Sequence, residues 1–222
     1  MYKYVKRGID LIMAVLLLII FLIPMLIIAV LIKLDSKGPV LFKQKRTGLK
    51  GKVFNLYKFR SMVTDNDVHD FSKGDQHTKV GNILRKTSLD ELPQIINILK
   101  GEMSFIGPRP WITDYYDNMN EKQRHRNDVL PGITGLAQAK GRNNISINEK
   151  INYDLEYVKN YSFRQDVKIV FLTIKTVLSK EGADAGKNTI QNELEDLKTQ
   201  NLSLDDIREA QEDNSDKVIY SH

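Results

Sequence analysis

Two adjacent carboxylates and one arginine are the residues of this sequence best suited to chemistry. Asp90 and Glu91 are neighbours, and Arg109 lies between Pro108 and Pro110. Adjacent carboxylates can divide their roles, because one can attack or accept a proton while the other binds a metal ion. An arginine whose backbone is restrained by flanking prolines binds an oxyanion at a lower entropic cost. Residues 88–110 therefore predict a site for phosphate or a metal ion.

The local sequence places the carboxylate pair near the start of a helix. Pro93 must lie in the first turn of any helix here, since a deeper position would remove a backbone hydrogen bond. Asp90 would then lie near the free N–H groups of that turn, which favour a bound phosphate. A simpler explanation also fits, because Ser88 and Glu91 match the S-x-x-E capping box. The pair alone does not decide between a reactive site and a capped helix.

The composition excludes several kinds of chemistry and indicates anionic partners. The 222-residue chain has no cysteine, which excludes disulfides, thiolate catalysis and cysteine-ligated metals. From Asn188 onward, nine acidic residues stand against three basic ones, a formal charge of −6 in a chain of net charge +5. The remainder is therefore +11, which favours phospholipid, nucleotide phosphates or nucleic acid. We expect the acidic tail to be peripheral, either a helix that binds a protein partner or a disordered segment, and its removal to leave the chemistry intact.

An apolar run from Leu11 to Ile32 is long enough to span a bilayer. Basic residues flank both of its ends, so the positive-inside rule gives no orientation. Pro24 lies near the middle, where it removes a helix hydrogen bond and can kink the chain. Two topologies stay open on these grounds. One is a kinked span, which composition favours, and the other is a helix–break–helix that returns to the same face.

The remaining sequence predicts a basic β-hairpin and several helices. Two β-prone runs flank the turn Thr47–Gly51. The hairpin region carries seven basic residues: Lys43, Lys45, Arg46, Lys50, Lys52, Lys58 and Arg60. A short helix at Val80–Lys86 would bring Arg85 towards the carboxylates. A helix over Asp166–Ser179 has one apolar face, which would pack in the core or lie on a membrane surface.

The order of these motifs resembles the bacterial sugar transferase family, in the small, minimal-catalytic form of its monotopic polyprenyl-phosphate phosphoglycosyl transferases. The resemblance extends from Tyr4 to about Lys180. Each motif is weak alone, but so many in one order make a specific signal. They are Lys6-Arg7 with Asp10, Gly38-Pro39, Lys58-Phe59-Arg60-Ser61-Met62, Leu84-Arg85, Ser88 to Gln94, Gly107 to Pro110, Pro131 to Gly135, Gly141-Arg142, and Asp154 and Asp166 on either side of Tyr161-Ser162-Phe163.

The resemblance implies a reaction and a set of roles. Such enzymes transfer a phospho-sugar from a UDP-sugar to polyprenyl (undecaprenyl) phosphate and release UMP, which initiates bacterial surface glycan or glycoprotein assembly. By this resemblance Asp90 attacks the β-phosphate to give an aspartyl-phosphosugar, and Glu91 binds Mg²⁺. Candidates for the substrate phosphates are Arg85, Arg109, Arg142 and Lys58, and candidates for the lipid phosphate are Lys6 and Arg7.

Other residues are expected to support the structure. They are Pro24, Arg60, Pro108, Pro110, Asp154 and Asp166. Lys58 and Arg60 either contact substrate or form ion pairs with Asp154 or Asp166. The resemblance also favours the re-entrant hairpin over the span, although Ile23 stands where small members of the family have a serine before the proline.

The expected architecture is α+β and mostly helical, with three regions. A re-entrant membrane hairpin covers residues 1–36, a cytoplasmic catalytic domain with interfacial amphipathic helices covers 37–187, and the acidic tail covers 188–222. We expect the bacterial cytoplasmic (inner) membrane as the location, contact with membrane lipid, and no nucleic-acid partner. The alternatives are a membrane-tethered nucleic-acid-binding module and a scaffold protein, both of which leave the carboxylate pair without a role.

Overall fold

The computed structural model describes residues 1–63, 76–141, 145–178, 190–199 and 201. Its elements are α1 Tyr2–Asp35, β1 Leu41–Thr47, β2 Val53–Phe59, α2 Lys79–Thr87, α3 Gln94–Lys100, β3 Ser104–Ile106, α4 Thr113–Asp117, α5 Glu121–Arg124, β4 Gly132–Thr134, α6 Leu136–Lys140, α7 Ile147–Lys159 and α8 Phe163–Leu178. Residues 190–199 form a further helix, called the tail helix below. The predicted α+β, mostly helical class is confirmed.

The apolar N-terminal segment forms one continuous helix, α1, of 34 residues. At 1.5 Å per residue it is about 51 Å long. The family resemblance favours a helix–break–helix at Pro24, but the helix runs through this residue. A proline in a helix removes one hydrogen bond and bends the axis, and the bonds of the turns on either side can continue the helix. One helix with an internal proline therefore replaces the expected pair.

α1 contacts the rest of the protein near both of its ends. Towards its N-terminus, Lys6, Asp10 and Ala14 are buried, and towards its C-terminus Ile28 and Ile32 are buried. Most side chains between these two groups are exposed and apolar. Within the described part of the chain, α1 alone is long and apolar enough to cross a membrane, judged by length and composition.

α8 exposes most of the apolar face that the sequence predicts for it. Ile169, on the opposite side of α8, is fully buried and belongs to one cluster with Leu136 and Ala139 of α6. The exposed apolar residues of α8 are Phe163, Val167, Val170, Phe171, Ile174 and Val177. Of the two predicted positions for this face, core or membrane surface, the structure rules out the core. The exposed apolar surfaces of α1 and α8 together indicate association with a membrane.

Two small sheets hold the loops that carry the candidate residues. β1 and β2 form the predicted antiparallel hairpin, with Leu41 opposite Phe59 and Thr47 opposite Val53. β3 and β4 are parallel, and they bring Gly107 and Gly132 into close contact. A Cβ on Gly132 would lie 2.1 Å from the Gly107 nitrogen, so this approach requires glycine. The backbone following β3 is thereby fixed beside β4.

The acidic tail is not wholly peripheral, contrary to the sequence-based expectation. The tail helix packs against α4 and α7 through Leu197, which is 0% exposed. Three buried aromatic or apolar partners, Trp111, Tyr115 and Ile147, belong to the same cluster. The contact is made by an apolar stripe between the acidic positions of the helix. A count of charges alone does not reveal such a stripe.

Candidate active site

Asp90 and Glu91 lie on a tight 3-10 turn, Leu89–Glu91, between α2 and α3. The turn starts at Ser88, which ends α2 in the left-handed conformation with φ 58°. Non-glycine residues seldom adopt this conformation, and they are often found at functional sites when they do. The reversal at Ser88 places both carboxylates in a cleft instead of along the side of a helix.

The structure corrects the expected start of the following helix. α3 begins at Gln94 and Pro93 is its N-cap, so the proline precedes the first turn. Asp90 therefore lies one 3-10 turn before the helix and is not at its cap. The capping-box explanation also fails, because the Ser88 side chain makes no capping hydrogen bond. The carboxylate pair therefore does not serve as a helix cap.

Two cations contact the second carboxylate. The Lys58 ammonium, from the end of β2, donates to Glu91 Oε1 at 2.7 Å and lies 4.0 Å from Asp90 Oδ2. Arg109 Nη2 donates to the same Glu91 oxygen at 3.3 Å. Both hydrogen bonds are accepted by Oε1, so Glu91 Oε2 accepts from neither cation. The side chain of Arg109 is 48% exposed and faces the open part of the cleft.

The two carboxylates differ in their ionisation. Burial raises the pKa of Asp90, Glu91 adds to the rise, and the charges of Lys58 and Arg85 oppose it. Burial also acts on Glu91, but Arg109 and Lys58 outweigh it and lower the pKa of Glu91 to about 2. Environments that separate the pKa values of neighbouring acids are typical of sites where the two acids have different roles. Asp90 is the less stabilised carboxylate and hence the better nucleophile of the two.

The backbone around Arg109 is fixed by a buried group of side chains. Arg126 donates to the Arg109 carbonyl oxygen at 2.8 Å and forms an ion pair with Asp154 at 2.7 Å. The Arg126 guanidinium also lies 3.8 Å from the centre of the Trp111 ring, a cation–π distance. A second arginine, Arg46, donates to the Pro110 carbonyl at 3.3 Å. The Arg109 loop is therefore positioned by two arginines that are not themselves at the carboxylates.

Lys58, Asp90, Glu91 and Arg109 line a cleft of about 1160 Å³. The volume slightly exceeds the roughly 300–1,000 Å³ typical of small-molecule sites. Among the described residues, seven basic ones line it: Lys43, Arg46, Lys58, Arg60, Arg85, Arg109 and Lys150. Four acidic residues from the same part of the chain also line it: Asp90, Glu91, Asp154 and Glu193. The excess of positive charge suits a ligand with several phosphate charges.

The family model described as Bacterial sugar transferase matches residues 1–180. The chain belongs to the bacterial sugar transferase family. An uncharacterized sugar transferase of Bacillus subtilis (strain 168), EpsL, is 46% identical over 183 residues, covering 80% of this chain and 89% of the relative. The resemblance expected from the motifs is confirmed.

Two longer relatives of the bacterial sugar transferase family carry names that state a reaction. The UDP-glucose:undecaprenyl-phosphate glucose-1-phosphate transferase of Escherichia coli (strain K12) is 45% identical over 78% of this chain and 40% of its own length. The UDP-N-acetylgalactosamine-undecaprenyl-phosphate N-acetylgalactosaminephosphotransferase of Aeromonas hydrophila is 44% identical over 82% of this chain and 45% of its own length. The chain thus spans less than half of these two relatives.

The residues expected to bind a lipid phosphate have protein partners in this sugar transferase. The Lys6 ammonium is buried and lies 2.6 Å from Asp166 Oδ2. Asp166 also accepts hydrogen bonds from the hydroxyls of Tyr2 and Tyr157. Arg7 donates to the carbonyls of Ile98 and Leu99 at the end of α3. Lys6 therefore fixes α1 to α8 through Asp166, instead of lying free at the membrane edge.

The ion pairs suggested for Lys58 and Arg60 are not those observed. Asp154 pairs with Arg126 and Asp166 with Lys6, so neither contacts Lys58 or Arg60 in this way. Arg60 instead donates to the carbonyls of Ser36 and Lys37 after α1. These hydrogen bonds connect the end of β2 to the end of α1. Lys58 contacts the carboxylate pair directly.

Two other predicted phosphate ligands have different outcomes. Arg85 lines the cleft and is close enough to lower the pKa of Asp90, and it contacts His77. Arg142 lies outside the described residues.

The prolines named in the sequence analysis occupy different positions. Pro24 is exposed in the interior of α1. The prolines on either side of Arg109 hold the loop through their carbonyls, since that of Pro108 accepts from Gly132 N–H at 2.9 Å.

The carboxylate pair fits Mg²⁺ only in part as a protein-built site. No group of three metal-ligating side chains occurs among the described residues. Mg²⁺ is commonly held by one or two carboxylates together with substrate phosphates and water, so a large all-protein ligand set is not required. Glu91 remains ionised near neutral pH, and Lys58 and Arg109 both donate to its Oε1, so its Oε2 accepts a hydrogen bond from neither. Oε2 fits the role of a single protein ligand shared with a diphosphate.

Several residues that hold the Arg109 loop in position were not identified from the sequence. Arg126 lies in a polar run with Arg124, and nothing in the run distinguishes it from a surface arginine. Trp111 gave a usable signal, because it is the sole tryptophan and directly follows Pro110. Glu193 belonged to a tail that we expected to be peripheral. All three contact residues that are distant in the sequence, and local sequence patterns do not reveal such contacts.

Proposed function

We propose that this protein transfers a phospho-sugar from a UDP-sugar to polyprenyl phosphate, with Asp90 as the nucleophile. The observation that carries the proposal is the placement of Asp90 beside Glu91, Lys58 and Arg109 in a positively charged cleft. The names of two relatives, which state UDP-sugar and undecaprenyl-phosphate reactions, support the substrate class. By the same reasoning the reaction is an initiating step of bacterial surface glycan assembly.

The proposed reaction has two displacements at one phosphorus atom. In the first, an Asp90 carboxylate oxygen forms a bond to the β-phosphorus, and the bond from that phosphorus to the bridging oxygen breaks. The bridging oxygen leaves with the α-phosphate as UMP. In the second, a phosphate oxygen of the lipid attacks the same phosphorus and the bond to Asp90 breaks. The carboxylate is regenerated and the product is a polyprenyl diphosphate-linked sugar.

The neighbouring cations have a defined task in these steps. Phosphoryl transfer depends on neutralising charge on the phosphate oxygens, which positioned cations accomplish. Arg109 is exposed to the cleft, and its guanidinium matches two phosphate oxygens. Mg²⁺ bound by Glu91 would supply further neutralisation of the diphosphate. Lys58 holds Glu91 and lies near Asp90, so it keeps the unprotonated carboxylates adjacent despite their mutual repulsion.

Release of UMP is the direct test of this function. Purified protein in detergent would be mixed with Mg²⁺, a short polyprenyl phosphate and each of a panel of UDP-sugars. We expect UMP to form with at least one hexose or N-acetylated amino sugar donor, and the preferred donor to identify the sugar. Absence of UMP with every donor, from a protein with a cooperative thermal transition, would contradict the proposal.

Glu91→Gln should lose activity mainly through the metal. The amide is a weaker Mg²⁺ ligand and cannot pair with Lys58 and Arg109 as an anion. Because the defect lies in metal affinity, raising Mg²⁺ should restore part of the rate. Initial rates over a range of Mg²⁺ concentrations measure this, with the exposed Glu121→Gln as a control of the same chemical change. A Glu91→Gln rate that stays low at every concentration argues against metal binding by Glu91.

We further propose that both ends of α1 and the catalytic cleft face the cytoplasm. Contacts at both ends of α1 with one protein body support this, since Lys6 binds Asp166 and Arg60 binds the carbonyl of Ser36. A soluble UDP-sugar reaches the cleft from the same side. A helix that crossed the membrane once would instead separate its two ends by a bilayer.

Single cysteines can test this topology, because the chain has none of its own. Lys3→Cys and Lys37→Cys place one thiol at each end of α1 at exposed positions. We expect a membrane-impermeant maleimide to label neither variant in intact cells and both after permeabilisation. Labelling of Lys3→Cys alone in intact cells would establish a span and contradict a cytoplasmic location for both ends of α1.

The β1–β2 hairpin supports nucleic-acid binding less well than the cleft supports phospho-sugar transfer. Base stacking needs exposed aromatic side chains between basic ones. Phe54 is buried in the core, and Tyr57 is occupied by Lys100, whose ammonium lies 4.6 Å from the ring centre. Phe42 is exposed, which leaves one aromatic side chain of the hairpin free of these contacts.

A further inference from the structure

The tail helix covers a residue that belongs to the Arg109 loop. Trp111 lies two residues after Arg109, is largely buried, and packs in one cluster with Leu194 and Leu197 of the tail helix. The family match ends at residue 180, so the tail helix lies outside the part of the chain that defines the family. The tail helix therefore contacts the site from outside the matched region.

Polar contacts hold the tail helix in place. Glu193 accepts a hydrogen bond from the Tyr115 hydroxyl at 2.8 Å and from the Lys150 ammonium at 2.6 Å. The side chains of Glu193 and Lys150 are only 13% and 17% exposed. Just beyond the helix, Asn201 accepts from the Asn120 side chain at 3.1 Å. An ion pair at this depth is less screened than a surface pair, so its loss should release the helix.

The same residues form part of the cleft. Glu193, Lys150 and Tyr115 line it together with Asp90 and Arg109. From Trp111 the contacts continue to the Arg126 guanidinium, 3.8 Å from the ring centre, and from Arg126 to the Arg109 carbonyl at 2.8 Å. A continuous series of packed and hydrogen-bonded groups thus joins the tail helix to the arginine that contacts Glu91.

We propose that the tail helix is a wall of the active site that positions Arg109, and that Glu193 is the positioning residue that holds the helix in place. Loss of the Glu193–Lys150 pair exposes Trp111 and loosens Arg126, so Arg109 spends less time at the phosphates. The kinetic part of the inference rests on the phosphoglycosyl transfer proposed above. It replaces the sequence-based expectation that residues 188–222 can be removed without effect on the chemistry.

Trp111 reports the position of the tail helix without any assay of activity, because it is the only tryptophan. Glu193→Lys places two ammonium groups together, and we expect red-shifted emission and stronger quenching by acrylamide. Exchanging the charges, with Lys150→Glu added to Glu193→Lys, should restore most of the wild-type signal. The control is Glu195→Lys, the same change at an exposed position of the same helix. Emission and quenching of Glu193→Lys that match wild type would overturn the docking.

Kinetics test whether docking positions Arg109. We expect Glu193→Lys to lower the rate of UMP release about 10-fold or more, since a misplaced transition-state contact is costly. The exchanged pair should recover to within about three-fold of wild type if the coupling is mainly between these two charges. Glu195→Lys should have the wild-type rate. An unchanged or faster rate in Glu193→Lys, or after removal of residues 188–222, would overturn the proposal.

A double-mutant cycle separates positioning from general stabilisation. If the tail acts through Arg109, Glu193→Lys should have little further effect on the rate of a protein that already carries Arg109→Lys. A tail that only stabilises the fold would give the same fold-loss in both backgrounds, and that result contradicts positioning. A wild-type protein that releases no UMP would contradict the proposed function, while Trp111 fluorescence would still test the docking.

Discussion

Asp90→Asn should reduce turnover on the order of 10⁴- to 10⁶-fold, the range expected when a covalent nucleophile is removed. Asparagine preserves the size of the side chain but has no anionic oxygen to attack phosphorus. The covalent intermediate should disappear along with turnover. Incubation with a labelled UDP-sugar and no lipid acceptor, followed by denaturation and intact mass measurement, should detect a phospho-sugar adduct on the wild-type protein only.

The stability of Asp90→Asn distinguishes loss of chemistry from loss of fold. Burial raises the pKa of Asp90, so the ionised carboxylate is disfavoured at this position. A neutral amide avoids that cost and also removes the repulsion from Glu91. We therefore expect a Tm equal to or above that of wild type. Asp117→Asn, the same change at an exposed position of α4, should leave both rate and Tm unchanged.

Two results would contradict the assignment of Asp90. One is a rate near that of wild type in Asp90→Asn, and the other is an adduct that persists in the variant. Slow conversion of asparagine to aspartate could restore a trace of activity, so Asp90→Ala should be measured alongside. Adduct formation by Asp90→Ala at the wild-type level would place the nucleophile elsewhere.

The sequence was sufficient to single out the carboxylate pair and Arg109 because their motif is local. Asp90, Glu91 and Arg109 lie within one short stretch whose prolines restrict the backbone. The hairpin was likewise predictable, since β-prone runs on either side of a glycine-containing turn determine its pairing. The reversal at Ser88 was not, because a serine in the left-handed conformation has no sequence signature that distinguishes it from a helix cap.

Interactions between distant residues explain most of what the sequence did not reveal. Lys6 was expected at a lipid phosphate, but it pairs with Asp166, 160 residues away. A cation near a membrane segment has many possible partners, and only the fold decides which carboxylate is close. Arg126 and Glu193 were overlooked for the same reason. Tertiary packing also explains why α1 continues through Pro24. The proline weakens the helix locally, but packing at both ends of α1 stabilises it.

Arg109→Lys should be severely impaired even though the charge is conserved, with a rate loss of about 10²-fold or more. A guanidinium makes two parallel hydrogen bonds to phosphate oxygens, whereas an ammonium acts as a point charge. The structure prepares this geometry: Arg126 fixes the Arg109 carbonyl and Gly132 bonds that of Pro108, while the side chain stays half exposed towards the cleft. Lysine would retain the backbone position but not the planar contact.

The kinetic pattern identifies which state Arg109 binds. If its second hydrogen bond forms only as charge develops on the phosphate, Arg109→Lys should lower kcat with little change in KM for the UDP-sugar. If it binds ground-state substrate equally well, KM should rise and kcat stay nearly constant. We expect the first pattern, because Arg109 already contacts Glu91 beside the nucleophile. The exposed Arg124→Lys on α5 is the matched control.

The ionisation of Glu91 adds an independent measurement to the same variant. Arg109 is the largest influence that lowers the pKa of Glu91, and a lysine at this position keeps the positive charge. Glu91 in Arg109→Lys should therefore remain ionised at neutral pH, and the Mg²⁺ dependence of the rate should resemble that of wild type. A loss that raised Mg²⁺ reverses would assign Arg109 to the metal site. A rate near that of wild type would instead place Arg109 away from the reacting phosphates.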